Sequence, residues 1–478
     1  MIDAERYLNG DSLLRPVAKA LYDSAKQLPL VSPHGHVDPL LFSEENYHFG
    51  NPVELLIQPD HYVLRILHSQ GVSYEQLGIP ARGKEPVEKD PRKIWQTFAK
   101  YFYCYAATPI GLWLNDELAN VFGIEEKLTP ANAQAIYDAI QNQLLEPEFT
   151  PRKLYQRFNM AVLSTTDSPT DDLQQHRAIA NSGWEGHILP TFRADSILHI
   201  DRSDWRQEIE KLAVASGIPV NDFASYIKAV ENRRTWFKQN GATATDLAVV
   251  AAHTALLSPF EMNSLLQKGL KGTITPSEAQ QFVAGMLVEL ARMSAEDGLV
   301  MQMHVGCYRN HDQELFENSG PDLGADFPVP VEFTRPLQAL LNRYGNHPNF
   351  NLILFTMDES TYARELAPLA SYYPAVKLGP PWWFNDNLNG IQRFFEQAID
   401  SGGLYNTAGF NDDTRALLSI PARHDLWRRA SANWLAGLLV RRIIDENTAY
   451  EMIKALACGL AVKAYRLEKY LPAEARLS

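Results

Sequence analysis

Short apolar runs, each followed by a polar turn and then a helical pattern, recur along this chain, and that alternation limits its possible folds more than any other feature. The clearest runs are Leu28–Pro33, Met160–Thr165, Ile188–Phe192, Leu299–Val305, Phe350–Phe355, Ala375–Leu378 and Tyr405–Phe410. An eighth, Ala242–Val250, is rich in Thr and Val and reads either as a weaker strand or as a helix. Runs that are apolar on both faces suit parallel strands covered by helices. The intervening segments carry helix starts. Thr275-Pro276-Ser277-Glu278 combines an N-cap, a proline at the first helical position and a capping-box glutamate. Behind it Phe282, Val283, Met286, Leu287 and Leu290 fall on one helical face. Thr129-Pro130 is expected to open a helix running toward Leu145. Eight strands alternating with helices predict an α/β chain closed as a (β/α)8 barrel of the TIM type; an open doubly wound sheet leaves a similar trace.

The spacing is uneven in one place. The first and second candidate strands are separated by far more chain than one crossover needs. The intervening stretch is helical in pattern and aromatic, with Trp95, Phe98, Tyr101, Phe102 and Tyr103 close together. The expected organisation is an N-terminal segment and first strand (1–40), an inserted helical subdomain (41–159) and the rest of the barrel (160–426). C-terminal helices packed on the barrel (427–478) complete it.

Composition excludes some partners. A formal net charge of -13 argues against non-specific binding to nucleic acid or anionic lipid. The cysteines Cys104, Cys307 and Cys458 are widely spaced and odd in number, so neither a disulfide framework nor a sulfur-rich zinc site is expected. The opening MIDAERYLNGDS lacks the basic-then-apolar pattern of a signal peptide, and no run of about 20 apolar residues could span a membrane. The expectation is a soluble, cytoplasmic protein, and a symmetric homo-oligomer because large metabolic barrels commonly assemble so.

The sharpest local signal is Ser32-Pro33-His34-Gly35-His36-Val37-Asp38-Pro39 at the end of the first strand. In an extended chain residues i and i+2 point the same way, so His34 and His36 can offer both imidazoles to one cation. His304 closes another strand, and Asp413 follows the last one. In a barrel all four lie at the carboxyl ends of strands, where barrel active sites are built. Three nitrogens and a carboxylate suit Zn²⁺, Mn²⁺ or Fe²⁺, with Zn²⁺ favoured, over Mg²⁺ or Ca²⁺. Alone, His304 would more often be a satisfied buried residue, and Asp413 more often a helix cap. Arg193, Arg309 and Arg415 also lie at or just after strands, and arginine grips carboxylates through paired hydrogen bonds. Surface pairing with Asp or Glu is the plain alternative for each. Trp382-Trp383-Phe384 can wall a sugar site, and Pro59-Asp60-His61-Tyr62 with Arg65 lies in the insertion, where a loop could close over the barrel mouth. Asp167 after the second strand reads as a capping or supporting residue. No GxGxxG, Walker-type or GxSxG motif is presented by a strand.

These segments together resemble the uronate isomerases of the amidohydrolase superfamily. The resemblance rests on His34-Gly35-His36, Asp60-His61-Tyr62 with Arg65, and Ser164-Thr165-Thr166-Asp167. It extends through Pro190-Thr191-Phe192-Arg193, Gln302-Met303-His304-Val305-Gly306 with Arg309-Asn310, Trp382-Trp383-Phe384-Asn385-Asp386 and Asp413-Thr414-Arg415. It implies conversion of D-glucuronate to D-fructuronate and of D-galacturonate to D-tagaturonate. It implies one divalent metal ion on His34, His36 and Asp413, with His304 touching either the metal or the substrate. Asp413, Tyr62, His304 and Arg415 are then the expected catalytic residues. His61, Arg193, Arg309, Trp382 and Trp383 are the expected substrate contacts. The chain departs from the family pattern in the acidic Thr356-Met357-Asp358-Glu359 and in one extra residue before Arg423-His424. A metal-dependent hydrolase on the same barrel and a non-catalytic sugar-acid binder are the competing classes.

Overall fold

The computed structural model describes residues 2–83 and 86–471. Its strands are β1 (Leu30–Ser32), β2 (Met160–Ser164), β3 (Ile188–Leu189), β4 (Phe192–Arg193), β5 (Ala244–Asp246), β6 (Ala248–Val249), β7 (Val300–Val305), β8 (Cys307–Tyr308), β9 (Phe327–Pro328), β10 (Leu352–Thr356) and β11 (Val376–Leu378). β1, β2 and β3 form one parallel sheet, while β4, β5, β7, β10 and β11 follow one another in a second, with β6 also on β7. β8 and β9 form a separate antiparallel pair. The Ala242–Val250 run is therefore strand rather than helix, interrupted at Leu247.

The apolar run Ile188–Phe192 is split in two by Pro190, which has no N–H to give to a ladder. The two sheets meet at this break. The Asp167 N–H donates to the Thr191 carbonyl and the Arg193 N–H to the Asp167 carbonyl, each at 3.0 Å. Both elements thus run on as one parallel arc in which each strand neighbours the next in sequence.

The last expected strand along the chain, Tyr405–Phe410, is reduced to one parallel bridge between Leu378 and Thr407. The Ala408 N–H donates to the Leu378 carbonyl at 2.7 Å. Gly403 and Gly409, at φ of 75° and 73°, bend the chain on either side and shorten any pairing. Among the described residues no strand ladder closes the arc back onto β1. What spans that gap is the His36 N–H donating to the Thr414 carbonyl at 2.9 Å. The structure is an α/β fold with parallel sheets.

Helices cover the strands as the periodicity predicts. The Pro276–Asp297 helix starts with the full Thr275–Glu278 capping box and buries Phe282, Met286, Leu287 and Leu290, with Val283 half-buried at the edge. The helix expected from Thr129-Pro130 begins later, at Ala133, because the Thr129 backbone and hydroxyl both bond the Asn132 side chain in a turn. Between β1 and β2 the chain is helical and packs Trp95, Phe98 and Phe102 into a core shared with Leu30 and Met160; Tyr103 is exposed. After the last strand, the Ile420–Val440 helix starts seven residues before Trp427 and packs against β1 and the N-terminal Leu14–Ala25 helix. No helix of the described residues is long and apolar enough to cross a membrane.

Asp167 holds the seam and is itself buried. Its Oδ2 accepts from the Thr165 hydroxyl at 2.7 Å and the Thr191 N–H at 3.1 Å. Burial outweighs both bonds and pushes its carboxyl up to about 7. An unfolded Asp titrates near about 3.9. The folded chain therefore keeps a proton that the unfolded chain releases between about pH 4 and about pH 7, and stability falls as pH rises through that window. Relative to Asp167→Asn, the parent protein is expected to lose stability between about pH 5 and about pH 7. Urea midpoints at each pH check this, and parallel pH slopes would refute it.

Candidate active site

Parallel strands all end on the same side, so residues just past their carboxyl ends converge. Here they line a cavity of about 680 Å³, within the usual range for small-molecule sites. The expected metal ligands, catalytic residues and substrate contacts all line this cavity, whereas Phe384, expected to wall it beside Trp382 and Trp383, does not. Arg65 does not: its guanidinium lies 4.4 Å from the Phe384 ring centroid, outside the lining.

The centre is built from the two histidines after β1 and from Asp413. His34 Nε2 lies 3.4 Å and His36 Nε2 3.1 Å from Asp413 Oδ1, while the Trp382 Nε1–H donates to Asp413 Oδ2 at 2.7 Å. Burial opposes the Asp413 charge, but His34 and His36 more than offset it and hold the carboxyl well below the usual carboxylate range. Asp413 and Trp383 adopt positive φ of 40° and 58°. For residues with a Cβ this conformation costs about 1–2 kcal/mol, and at a site it marks enforced geometry. At Gly35 an added Cβ would meet only ordinary van der Waals contacts, so packing alone does not demand glycine. A Cβ there would lie 3.4 Å from the Thr414 carbonyl oxygen and 3.6 Å from Ser164 O and Asp412 Oδ1.

His304 sits one layer deeper, its ring stacked on Phe355 with centroids 4.1 Å apart. Its Nδ1 lies 2.8 Å from Asp246 Oδ1, and its buried Nε2 has no hydrogen-bond partner. Burial pushes its imidazole below the ordinary value despite Asp246 beside it. Two donor groups have all their ligand atoms within 4.8 Å of one another, His34–His36–Asp413 and His34–Asp246–His304. Imidazole nitrogens with one carboxylate, beside an unpartnered buried nitrogen, fit a divalent transition metal with open positions.

The cations are already engaged. Arg193 Nε donates to Asp195 at 2.7 Å, and its NH1 lies 2.9 Å from Asp246 Oδ2. Arg415 pairs with Asp322 at 2.8 Å, and Arg309 lies 3.3 Å from Asp326 and 3.7 Å from Asp322. His61 stacks on Tyr62 and edges onto Trp383. Burial, aided by Arg415, lowers the His61 value to about 3, and burial raises the Tyr62 phenol well above its ordinary range.

Sequence reasoning missed the carboxylates that hold these groups, chiefly Asp246 and Asp322, and also Arg423. The signal for Asp246 was present: a charged residue within the apolar Ala244–Val249 run is rarely buried unless paired. Arg423 is buried in the Ile420–Val440 helix, its guanidinium 3.6 Å from the Trp113 ring centroid and 3.3 Å from Asp386. Only the side-chain packing between the insertion and this helix shows that it lines the cavity.

The sequence pattern of glucuronate isomerases matches residues 5–465. The chain belongs to the glucuronate isomerase family. A uronate isomerase of Nostoc punctiforme is 49% identical over 468 residues, covering 98% of this chain and 99% of the relative. The crystal structure of glucuronate isomerase from Caulobacter crescentus superposes with a TM-score of 0.96 at 43% identity, covering 100% of this chain and 99% of that one. Uronate isomerase from Thermotoga maritima superposes with a TM-score of 0.90 at 26% identity, covering 97% and 99%. This chain is an isomerase of that family.

If His34, His36 and Asp413 form the ion site, His36→Ala lowers Zn²⁺ affinity by more than the roughly 10–100-fold typical of losing an outer partner. Calorimetric titration of the metal-free protein measures it, and unchanged affinity would remove His36 from the site.

Proposed function

We propose that this enzyme interconverts D-glucuronate with D-fructuronate, and D-galacturonate with D-tagaturonate, by metal-assisted proton transfer between C2 and C1. The observation that carries the reading is the meeting, in one cavity, of the His34–His36–Asp413 group, the unpartnered His304 Nε2, the Tyr62 phenol and several arginines. One divalent ion, Zn²⁺ in the first instance with Mn²⁺ or Fe²⁺ as alternatives, would be held by His34, His36 and Asp413. His304 would be either a further ligand or a substrate contact. Such an ion supplies Lewis-acid polarisation of bound oxygens.

The remaining chemistry falls to side chains. Isomerisation opens the sugar ring, removes the C2 proton and returns it to C1, and charge builds on the enediol oxygens. Asp413 is ionised at neutral pH and accepts the C2 proton. Tyr62, kept protonated by burial, exchanges protons with the C1 and C2 oxygens, and Arg415 stabilises the charge there. Arg193 and Arg309 hold the substrate carboxylate, neutral His61 donates or accepts a hydrogen bond, and Trp382 and Trp383 face the sugar's C–H groups.

The same reading includes a (β/α)8 barrel. The in-order parallel neighbours and the His36–Thr414 bond across the gap support closure. Residues 41–159 are then the inserted helical subdomain, 1–40 and 160–426 the barrel, and 427–478 its outer helices, of which 472–478 lie outside the described residues. A cytoplasmic homo-oligomer completes it.

A proton NMR time course in D₂O with each uronate tests the reaction. The expected result is ketose formation with deuterium beside the new carbonyl; no conversion of either sugar by metal-loaded protein would overturn it. Asp413→Asn is expected to lower kcat by roughly 10²- to 10⁴-fold with the fold intact by circular dichroism, and retained activity would refute its assignment.

A further inference from the structure

Asp246 ends β5 and is completely buried, with a carboxylate oxygen within 4.8 Å of ring nitrogens of both His34 and His304. Its two oxygens face two different site residues from two neighbouring strands. Oδ1 lies 2.8 Å from Nδ1 of His304 on β7, and Oδ2 lies 2.9 Å from NH1 of Arg193 on β4. Register explains the meeting: β5 lies between β4 and β7, with Asp246 directly opposite Arg193.

We infer that Asp246 is a positioning residue that fixes His304 as its Nδ1–H tautomer and so turns the Nε2 lone pair toward the cavity. Arg193 NH1 faces Oδ2 at 2.9 Å as an ion-pair partner without hydrogen-bond geometry, and an ionised carboxylate beside that cation can only accept. An acceptor at Oδ1 requires that His304 Nδ1 carry the proton. A neutral imidazole has one N–H, so Nε2 is then bare, and Nε2 is the nitrogen that lies buried without a protein partner. Stacking on Phe355 and packing against Trp382 at 4.7 Å between centroids hold the ring plane, leaving the tautomer to Asp246. The same carboxylate anchors Arg193, so one buried group sets both a lone-pair acceptor and a cation on the cavity wall. The inference deepens the isomerase reading and rests on it only for its kinetic consequence.

The Asp246→Asn substitution separates this role from simple packing. An amide has one accepting oxygen and one donating nitrogen. Arg193 can use only the oxygen, so the NH₂ faces His304 Nδ1 and forces the ring proton onto Nε2. A nearly isosteric change thus reverses the tautomer, as happens when the aspartate of a serine-protease triad becomes asparagine.

Long-range proton–nitrogen correlation spectra of enzyme labelled with ¹⁵N-histidine read the tautomer directly, the His304 signal being assigned by its loss in His304→Gln. In the parent enzyme, both as purified and after metal removal, the proton is expected on Nδ1; a proton on Nε2 would overturn the inference without any variant of Asp246. In Asp246→Asn the proton is expected on Nε2, with kcat lowered roughly 10- to 100-fold. An Asp246→Asn enzyme that folds and keeps Nδ1–H would equally overturn it. The spectral arm needs no substrate, so it decides the inference even if neither uronate is turned over.

Discussion

Burying carboxylates is the constraint on which the rest of this site depends. Asp246 is fully buried at the end of β5 and Asp413 is largely buried in the loop after the last strand run, and an unpaired buried charge costs several kcal/mol. Each survives ionised only because it is surrounded: Asp413 by two imidazoles and an indole N–H, Asp246 by an imidazole and a guanidinium. These partners come from the segment after β1, from β4 and β7, and from the loops after the later strands, which are remote in sequence. The strand order is therefore a requirement of the electrostatics as much as of the hydrophobic core. Displacing any one strand would strand a charge in a medium that cannot solvate it.

The parallel arrangement supplies this geometry at low cost in backbone strain. Hydrogen bonding between β7 and β10 places His304 opposite Phe355, and the rings stack. Of the non-glycine residues that leave the ordinary backbone regions, Asn310, Asp322, Trp383 and Asp413 line the cavity. That distribution fits a rigid scaffold of strands carrying a few forced side chains at its mouth.

Much of this was legible in the sequence. Seven apolar runs and one weaker run marked the strand positions, because strands covered on both faces must be apolar throughout. The His34-Gly35-His36 spacing pointed to a shared cation because alternate residues of an extended chain face one way. Other features were hidden for physical reasons. Pro190 splits one run, yet the seam is repaired by Asp167, a contact between separate segments that periodicity cannot reveal. The Tyr405–Phe410 run has the right apolarity but is bent by glycines into a single bridge. Asp246 sat inside a run read only for its hydrophobic pattern, and Arg423 reaches the cavity through packing between the insertion and the last long helix.

The arginines show most clearly where composition misleads. From sequence they read either as anchors for an anion or as partners of Asp or Glu, within a chain of net charge -13. In the structure Arg193, Arg309 and Arg415 each face an aspartate, and those partners differ in kind. Asp246 beside Arg193 is fully buried, so breaking that contact would leave a desolvated charge, and Arg193 keeps its place whatever enters. Asp322 beside Arg415 is more than one-third exposed, and an exposed pair is worth only about 0–1 kcal/mol. An incoming carboxylate or hydroxyl can take over that guanidinium while water receives Asp322. The cavity thus pairs Arg193, fixed by a buried partner, with Arg415, whose partner water can receive, while Arg309 lies between a buried Asp326 and the more exposed Asp322.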